Sequence, residues 1–280
     1  SVSISANGNF ITATDNYAGN VYLFHKDSNI PLWSYDTGET VSRVVLSEDA
    51  NYIVAISYKY IGTECDYQST LYVFERSSNA TLWDYQFDCY VHSLSLSADG
   101  QYIVASDRDK HILYLFSKDS SSPIWTFEGE ESNTLVMTAD ISLNGDYISL
   151  GYLDDIYLFH RSSNIPLFEY ETDRTVYSHS LSGTGKYFGV GTFENTYYLF
   201  NNSLASDSYF FYWDDSYEAV LPEQGFTLEL AAEYDTDGNA RDVVVIGELA
   251  YVADNDEGFL ILDISDISDI NETDRYRQSG

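Results

Sequence analysis

The sequence predicts an all-β protein in which a four-stranded unit is repeated along the chain. Short runs of alternating apolar and polar residues are separated by turns of the Asp-Gly or Asn-Gly type, which is typical of β-hairpins. Aromatic residues make up 16% of the 280 residues, and Tyr, which occurs 26 times, is enriched in strands. The same motifs return at a nearly constant spacing, and this indicates a repeat architecture.

The first half of each unit is a strand, a tight turn and a second strand that opens with an aromatic residue. Five copies follow this pattern: ISANGNFI at 4–11, LSEDANYI at 46–53, LSADGQYI at 96–103, ISLNGDYI at 141–148 and LSGTGKYF at 181–188. We label the strands of each unit a to d, so that these copies predict strands a and b with a turn between them.

The second half of each unit is marked by a Tyr-Leu-Phe or Tyr-Val-Phe triplet whose Phe residues lie 50, 42, 43 and 41 positions apart. Nine residues after each Phe stands another aromatic residue: Trp33, Trp83, Trp125, Phe168 and Tyr209. A period of about 42 residues with four short strands is the size of one β-propeller blade. We therefore predict a single β-propeller of four-stranded antiparallel blades, six in number with seven as the alternative, and aromatic packing between blades.

The repeat in residues 1–213 resembles the WD repeat, because V-x-x-x-x-L-S-x-D-G-x-Y-I is similar to the first two strands of that family. The Gly-His signature of WD repeats is absent. The segment Leu32-Trp33-Ser34-Tyr35-Asp36-Thr37-Gly38 also resembles the repeat of quinoprotein propellers. Both resemblances imply a propeller of five blades in this part of the chain.

The last part of the chain resembles a different repeat. Ala240-Arg241-Asp242-Val243-Val244-Val245 and Gly258-Phe259-Leu260-Ile261-Leu262-Asp263 are similar to the LVIVD repeat, which implies a propeller blade and a prokaryotic, surface-exposed protein. We predict an LVIVD-like blade over 234–280. Residues 214–233 fit neither repeat and are predicted to be irregular, with one extra strand at Phe226-Thr227-Leu228-Glu229-Leu230.

The two cysteines fall at the same edge of the second predicted blade. Tyr52 and Phe74 are 22 residues apart, against 14 for Tyr102 and Phe116, so the b–c loop of this blade carries an insertion that contains Cys65. Cys89 lies in the d–a connection that follows. We predict a Cys65–Cys89 disulfide that stabilises the fold by about 3 kcal/mol, with two free thiols as the alternative. A disulfide implies an oxidising compartment outside the cytoplasm.

The net charge of −32 disfavours nucleic acid as a partner, and no apolar run reaches membrane-spanning length. In the first five units the b–c and d–a loops carry a net −14 and the a–b and c–d loops −3, while residues 216–280 carry −13. A basic residue stands two positions after the triplet Phe in four of the five repeats, and we call these four residues the cation ring: Lys26, Arg76, Lys118 and Arg161. This cation ring predicts either a solvated surface or a polar contact with the acidic side of another copy.

No sequence motif indicates catalysis. The histidines His25, His92, His111, His160 and His179 lie outside every zinc or catalytic-triad pattern, and no C-x-x-C-H haem motif is present. Asp235-Thr236-Asp237-Gly238 and Asp254-Asn255-Asp256-Glu257-Gly258 lack EF-hand spacing, so turns are the first interpretation and weak calcium binding the second. Three N-x-S/T sequons, at Asn79, Asn201 and Asn271, are candidates for glycosylation.

These observations predict a non-enzymatic extracellular or cell-surface protein with a structural or adhesive role. We expect it to need no cofactor and to associate with itself. The alternatives are a module that binds a peptide, a glycan or a divalent cation on its acidic side, and a quinoprotein-like enzyme. A chain that starts at Ser1 without Met predicts a processed N-terminus.

Overall fold

The computed structural model contains only strands in the residues that it describes, which are 1–16, 18–62, 65–129, 137–172, 175–192, 196–205, 228–235, 240–246, 249–254, 258–265 and 271–276. The strands form six four-stranded antiparallel sheets in chain order. The all-β fold and the β-propeller architecture are therefore confirmed.

The first three sheets each contain four consecutive strands. The first holds β1 (Val2–Ile4), β2 (Phe10–Asp15), β3 (Asn20–His25) and β4 (Trp33–Asp36). The second holds β5 (Thr40–Leu46), β6 (Tyr52–Tyr60), β7 (Tyr67–Glu75) and β8 (Thr81–Gln86). The third holds β9 (Val91–Leu96), β10 (Tyr102–Asp107), β11 (Ile112–Ser117) and β12 (Trp125–Glu128).

The last three sheets follow the same order. The fourth holds β13 (Met137–Ile141), β14 (Tyr147–Tyr152), β15 (Asp155–His160) and β16 (Phe168–Glu171). The fifth holds β17 (Val176–Leu181), β18 (Tyr187–Thr192), β19 (Thr196–Asn202) and β20 (Leu228–Asp235). The sixth holds β21 (Ala240–Ile246), β22 (Leu249–Asp254), β23 (Gly258–Asp263) and β24 (Asn271–Tyr276). The chain divides into two compact units, a first unit of Ser1–Gly145 and a second unit of Asp146–Gly280.

The a–b turns repeat one hydrogen-bonded design. In the second sheet the Ser47 hydroxyl donates to Asp49 Oδ1 at 2.7 Å and accepts the backbone N–H of Tyr52 at 3.0 Å. Ser97 and Asp99 do the same in the third sheet. The fourth residue of each turn has a left-handed backbone conformation. It is Gly in four turns, and in the turn of the second sheet it is Ala50, with φ of 59°. The short Ser-x-Asx-Gly segment thus fixes the hairpin on its own.

A backbone ladder joins the a–b turns of the first unit. The N–H of Ala6 donates to the Glu48 carbonyl at 3.0 Å, the N–H of Glu48 to the Ala98 carbonyl at 2.9 Å, and the N–H of Ala98 to the Leu143 carbonyl at 2.9 Å. Each turn thereby holds the next one in register.

In three of the sheets, the aromatic residue nine positions after the triplet Phe packs against the triplet Phe of the following sheet. The ring centroids are 5.5 Å apart for Trp33 and Phe74, and 5.8 Å apart for Trp83 and Phe116. In the second unit they are 5.7 Å apart for Phe168 and Phe200. Apolar clusters lie between successive sheets at these contacts. The aromatic excess therefore forms the core between sheets, as predicted.

The fifth sheet takes its outer strand from later in the chain than the sequence predicts. Tyr209, the predicted aromatic of this strand, lies outside the described residues, as do positions 214–227. The outer strand is β20, in which Ala232 pairs with Leu199 and Asp235 with Thr196. Residues 228–230 of the predicted extra strand lie in β20, which continues to Asp235, so the boundary predicted at 234 falls inside this strand.

Candidate functional site

The second sheet extends beyond its neighbours at the b–c edge. Strands β6 and β7 are nine residues long, against six for β2 and β3, and their pairing continues to Tyr60 opposite Tyr67. The insertion predicted as a loop is therefore an ordered hairpin up to this point. The backbone N–H groups of Ile61 and Gly62 both donate to the Asp66 carbonyl and close its tip.

A disulfide between Cys65 and Cys89 ties the hairpin tip to the connection between β8 and β9, with the two Cα atoms 5.2 Å apart. Cys89 is fully buried. Ser69 strengthens this link, because its N–H donates to the Cys89 carbonyl at 3.1 Å and its hydroxyl accepts the N–H of Val91 at 3.0 Å. The predicted disulfide is confirmed, and the hairpin is anchored at its base and its tip.

Four tyrosine rings pack edge to face beside this disulfide, and we call Tyr58, Tyr60, Tyr67 and Tyr90 the tyrosine cluster. The ring centroids are 5.2 Å apart for Tyr58 and Tyr90, and 5.6 Å apart for Tyr60 and Tyr67. Tyr60 is 69% exposed and Tyr67 37% exposed. Tyr58 and Tyr90 are half-buried beneath them. The result is a rigid aromatic surface that is open on its outer side.

Charged residues from the third sheet border the tyrosine cluster. The Arg108 guanidinium lies 5.1 Å from the centre of the Tyr90 ring, and its Nε donates to Asp109 Oδ1 at 2.8 Å. Lys110 Nζ donates to the largely exposed Asp88 carboxylate at 2.9 Å. This edge therefore combines aromatic faces with paired charges.

Asp107 is a fully buried carboxylic acid at the end of β10. Its Oδ1 accepts the backbone N–H groups of Asp109 and Lys110, each at 3.0 Å, while its Oδ2 is buried without a hydrogen bond. Burial raises the pKa of Asp107 to about 6, and the nearby Asp109 carboxylate adds to the rise. The buried Asp107 charge also raises the pKa of Tyr114, for which burial is the main cause.

The five histidines are spread over four sheets, with His92 and His111 both in the third. His92 and His179 lie on strands a, as predicted, and burial lowers the pKa of both, in His179 to about 4. His25 and His160 end β3 and β15, where each ring packs edge-on against an aromatic ring at 5.3 and 5.7 Å. His111 is left-handed and nearly buried in the turn after β10. Among the described residues, no group of three or more His, Cys, Asp or Glu side chains is placed to hold a metal ion.

The four positions of the predicted cation ring differ in their surroundings. Arg76 lies 4.7 Å from the centre of the Phe10 ring, and Lys118 5.3 Å from that of Tyr52, so both cover an aromatic residue of the preceding sheet. Lys118 also pairs with Asp119, and Arg161 with Asp146. Lys26 is exposed. A contact of this ring with a partner stays a prediction.

The sequon residues lie at three different places. Asn79 is exposed in the turn before β8, although its amide donates to the Ser34 carbonyl at 3.0 Å. Asn201 is half-buried in β19, between its paired residues Tyr187 and Glu229. Asn271 begins β24. Glycosylation at these residues stays a prediction, and exposure favours Asn79.

Some predicted features lie outside the described residues. These are the turns at 236–239 and 255–257, for which calcium was the second interpretation, and the acidic residues Glu130, Glu131, Asp173, Asp214 and Asp215. Within the described part of the chain, no helix is long and apolar enough to cross a membrane.

Comparisons with known proteins agree with the fold. Residues 237–278 match the LVIVD repeat. One similar solved structure is a chain of the mitotic checkpoint complex, a WD40 propeller: the TM-score is 0.66, the sequences are 13% identical, and the alignment covers 97% of this chain and 75% of that chain. No curated protein sequence matches the chain. The chain is thus a β-propeller protein with WD-like sheets and an LVIVD repeat. Since 1679 solved chains match this structure, the fold alone does not specify a function.

The sequence patterns described above predict neither the tyrosine cluster nor the burial of Asp107. The alternation Tyr58-Lys59-Tyr60 inside the insertion was a usable signal, because alternate residues of a strand lie on one face. Asp107-Arg108-Asp109-Lys110 was visible as a charged run in the b–c loop of the third repeat. Nothing in that run shows that one of its carboxylates is buried.

Proposed function

We propose that the protein is a non-catalytic extracellular or cell-surface propeller with a structural or adhesive role, and that it associates with further copies of itself. For this 280-residue chain, the observation that supports self-association is a pair of exposed apolar sheet faces, one on the first sheet and one on the sixth.

The first sheet exposes residues that are buried at the same repeat position of the next sheet. Val2 is 71% exposed and Ile4 60% exposed. Their counterparts in the second sheet, Val44 and Leu46, are 2% and 9% exposed because they pack against the first sheet in one apolar cluster. The first sheet therefore presents a face of the kind that a preceding sheet would cover.

The sixth sheet exposes apolar residues on the side that faces a following sheet in the other repeats. Val243 and Val245 are buried against the fifth sheet, whereas the intervening Val244 is 44% exposed and Phe259 39% exposed. Strands β21 and β5 each contain a β-bulge, and when they are aligned at the bulge Val244 corresponds to Val45. Val45 is partly buried against the apolar cluster between the second and third sheets. The sixth sheet therefore presents a face of the kind that a following sheet would cover.

These two faces have the complementarity that successive sheets use inside the chain. We propose that the Val244 and Phe259 face of one copy packs on the Val2 and Ile4 face of another. Such a head-to-tail contact uses two different surfaces, so it can be propagated into an open assembly. Because the contact is apolar, it does not depend on the cation ring meeting the acidic side of a neighbour.

Sedimentation velocity over a concentration series, with negative-stain microscopy, tests this proposal. We expect wild-type protein to associate and Ile4→Arg to be monomeric. Ile30→Arg is the matched control, because Ile30 is 72% exposed but lies in a c–d turn of the same sheet, and we expect it to behave as wild type. A wild-type monomer at every concentration, or an Ile4→Arg variant that associates normally, would falsify self-association through this face.

Salt separates the apolar contact from a polar one. We expect association to persist or strengthen at high ionic strength, since screening weakens exposed ion pairs but not apolar contacts. Dissociation by salt would instead support contact between the cation ring and the acidic loops.

The extracellular location is supported by the Cys65–Cys89 disulfide, because disulfides persist in oxidising compartments. The LVIVD repeat supports a surface-exposed, prokaryotic protein as a proposal. Detection of the protein on intact cells by surface labelling, with a cytoplasmic protein as the negative control, tests the location.

We also propose that the protein has no enzymatic activity and needs no cofactor or nucleic-acid partner. The support is that the five histidines are spread over four sheets without a shared cluster among the described residues, and the −32 net charge. Addition of a quinone cofactor with calcium, followed by measurement of dye-linked alcohol oxidation, tests the quinoprotein alternative. Any turnover above a protein-free control would contradict this proposal.

A further inference from the structure

We infer that the tyrosine cluster, together with the carboxylates of Asp66 and Asp88, is a docking surface for a basic peptide segment that carries arginine or lysine. This inference goes beyond the proposed role and does not depend on self-association. It rests on the exposure of the rings, on the cation–ring contacts elsewhere in the same unit, and on the charge around the cluster.

The exposed rings lie on one face of the extended hairpin. Tyr60 and Tyr67 are directly opposite each other in the β6–β7 pairing, so their side chains share a face. The neighbouring pair, Lys59 and Gln68, lies on the other face by alternation. Lys59 Nζ is held there 3.0 Å from Glu39 Oε1, so its charge does not occupy the tyrosine face.

Cations already rest on aromatic rings at three places in the first unit. The Arg108 guanidinium lies over Tyr90, the Arg76 guanidinium over Phe10 and the Lys118 ammonium over Tyr52, at 5.1, 4.7 and 5.3 Å from the ring centres. The electron-rich face of a phenol ring attracts a cation at this distance. Tyr60 and Tyr67 offer rings of the same kind to solvent.

The charge around the cluster favours a cationic ligand. Asp66 is exposed at the hairpin tip, and the side chain of Asp88 is 78% exposed although its carboxylate already pairs with Lys110 Nζ at 2.9 Å. Arg108 adds little repulsion because Asp109 Oδ1 accepts its Nε–H at 2.8 Å. The net charge of −32 over the whole chain attracts a basic segment at long range.

The cluster is also rigid before any ligand binds. The Cys65–Cys89 disulfide fixes the hairpin tip, and edge-to-face packing fixes the rings. A preorganised surface loses little conformational entropy on binding, and Tyr has only two side-chain torsions to restrict. A neutral glycan would gain the ring contacts but nothing from the charge, so we favour the basic segment.

Fluorescence anisotropy with labelled hexa-arginine at about 0.15 M salt, the physiological ionic strength, tests the inference. We expect wild-type protein to bind the peptide and Tyr60→Leu or Tyr67→Leu to bind it about fivefold more weakly, because one exposed cation–ring contact is lost. Tyr60→Phe keeps the ring and should bind within about twofold of wild type. The matched control is Leu82→Ala, at an exposed apolar residue of β8 away from the cluster.

Two outcomes would overturn the inference. If Tyr60→Leu and Tyr67→Leu bind hexa-arginine as wild type does, the peptide is attracted by net charge alone. If neutral oligosaccharides bind in a Tyr60-dependent way and hexa-arginine does not, the ligand is a glycan. Repeating the titration on Ile4→Arg keeps this result separate from self-association, since that variant leaves the tyrosine cluster unchanged.

Discussion

The ring of Tyr52 occupies the space that a side chain on Gly100 would need. A Cβ atom at Gly100 would lie 2.5 Å from Tyr52 Cδ2. Tyr52, the first residue of β6 in the second sheet, therefore packs on Gly100, the left-handed residue in the a–b turn of the third sheet. The same contact recurs one repeat later, between Tyr102 and Gly145, and in the second unit between Tyr147 and Gly185. Gly8 has a similar φ, but a Cβ atom there would meet no other atom within 4 Å.

We expect Gly100→Ala to destabilise the protein more than Gly8→Ala. Both substitutions place a Cβ at a left-handed residue, which costs about 1–2 kcal/mol. Gly100→Ala must also displace Tyr52, and the overpacking adds about 1–3 kcal/mol. Urea unfolding followed by circular dichroism measures both variants. Equal losses would show that the Tyr52 contact is unimportant.

Removal of the disulfide is expected to lower the free energy of unfolding by about 3 kcal/mol, because it frees a loop of about 25 residues in the unfolded chain. The variant is Cys65→Ser with Cys89→Ala, where Ala avoids a buried hydroxyl at the fully buried position 89. Urea unfolding of oxidised wild type and of this variant gives the difference. Intact-mass measurement after alkylation without reductant is the control, and two added alkyl groups would contradict the bond.

Asp107 is expected to make the protein less stable as the pH rises from about 4 to above 6. Its folded pKa of about 6 lies above the ordinary value of 3.8, so the folded state must give up a proton that it holds more tightly than the unfolded state does. A rise of about two units corresponds to about 3 kcal/mol. The free energy of unfolding of Asp107→Asn, measured relative to wild type, should therefore be about 3 kcal/mol larger at pH 7 than at pH 4. A pH-independent difference would argue against a buried carboxylate.

His179 is expected to act in the opposite direction. Burial lowers its pKa from 6.5 to about 4, so its contribution to stability is complete above pH 6.5 and is lost as the pH falls through about 4. His179→Gln keeps a donor for the Ser149 carbonyl, which the imidazole contacts in the fold. We expect the variant to be less stable than wild type at pH 7, through lost packing on Phe188, and to lose less stability on acidification. If the free energies of unfolding of wild type and His179→Gln change in parallel with pH, the imidazole of His179 does not have the lowered pKa expected for a buried group.

The sequence predicts the sheets well because their strands and turns are local. The Ser-x-Asx-Gly turn forms from its own side chains, as at Ser47 and Asp49, and the aromatic spacing between Phe24 and Trp33 reports one hairpin. The outer strand of the fifth sheet escaped this reasoning because it is supplied by a distant segment. Tyr234-Asp235-Thr236 repeats the Tyr35-Asp36-Thr37 found at the end of the outer strand of the first sheet, and this similarity indicates an outer strand at 234–235.

The candidate site was only partly predictable from the sequence. Loop length and topology placed Cys65 and Cys89 at one edge, because consecutive antiparallel strands return to the same side. The packing of Tyr58 on Tyr90 joins strand β6 to a later connection, which no local pattern reports. The repeat position predicted Arg76 as a ring cation, but no local pattern reports that its guanidinium covers Phe10 or that its carbonyl accepts the Trp33 indole N–H at 2.9 Å.

The backbone ladder through Ala6, Glu48, Ala98 and Leu143 makes one whole repeat the natural unit of gene duplication. Each turn supplies a donor to the turn after it and an acceptor to the turn before it, so an added or deleted repeat leaves the ladder complete. Chains of this design can therefore change length in evolution in steps of about 42 residues, the size of one propeller repeat.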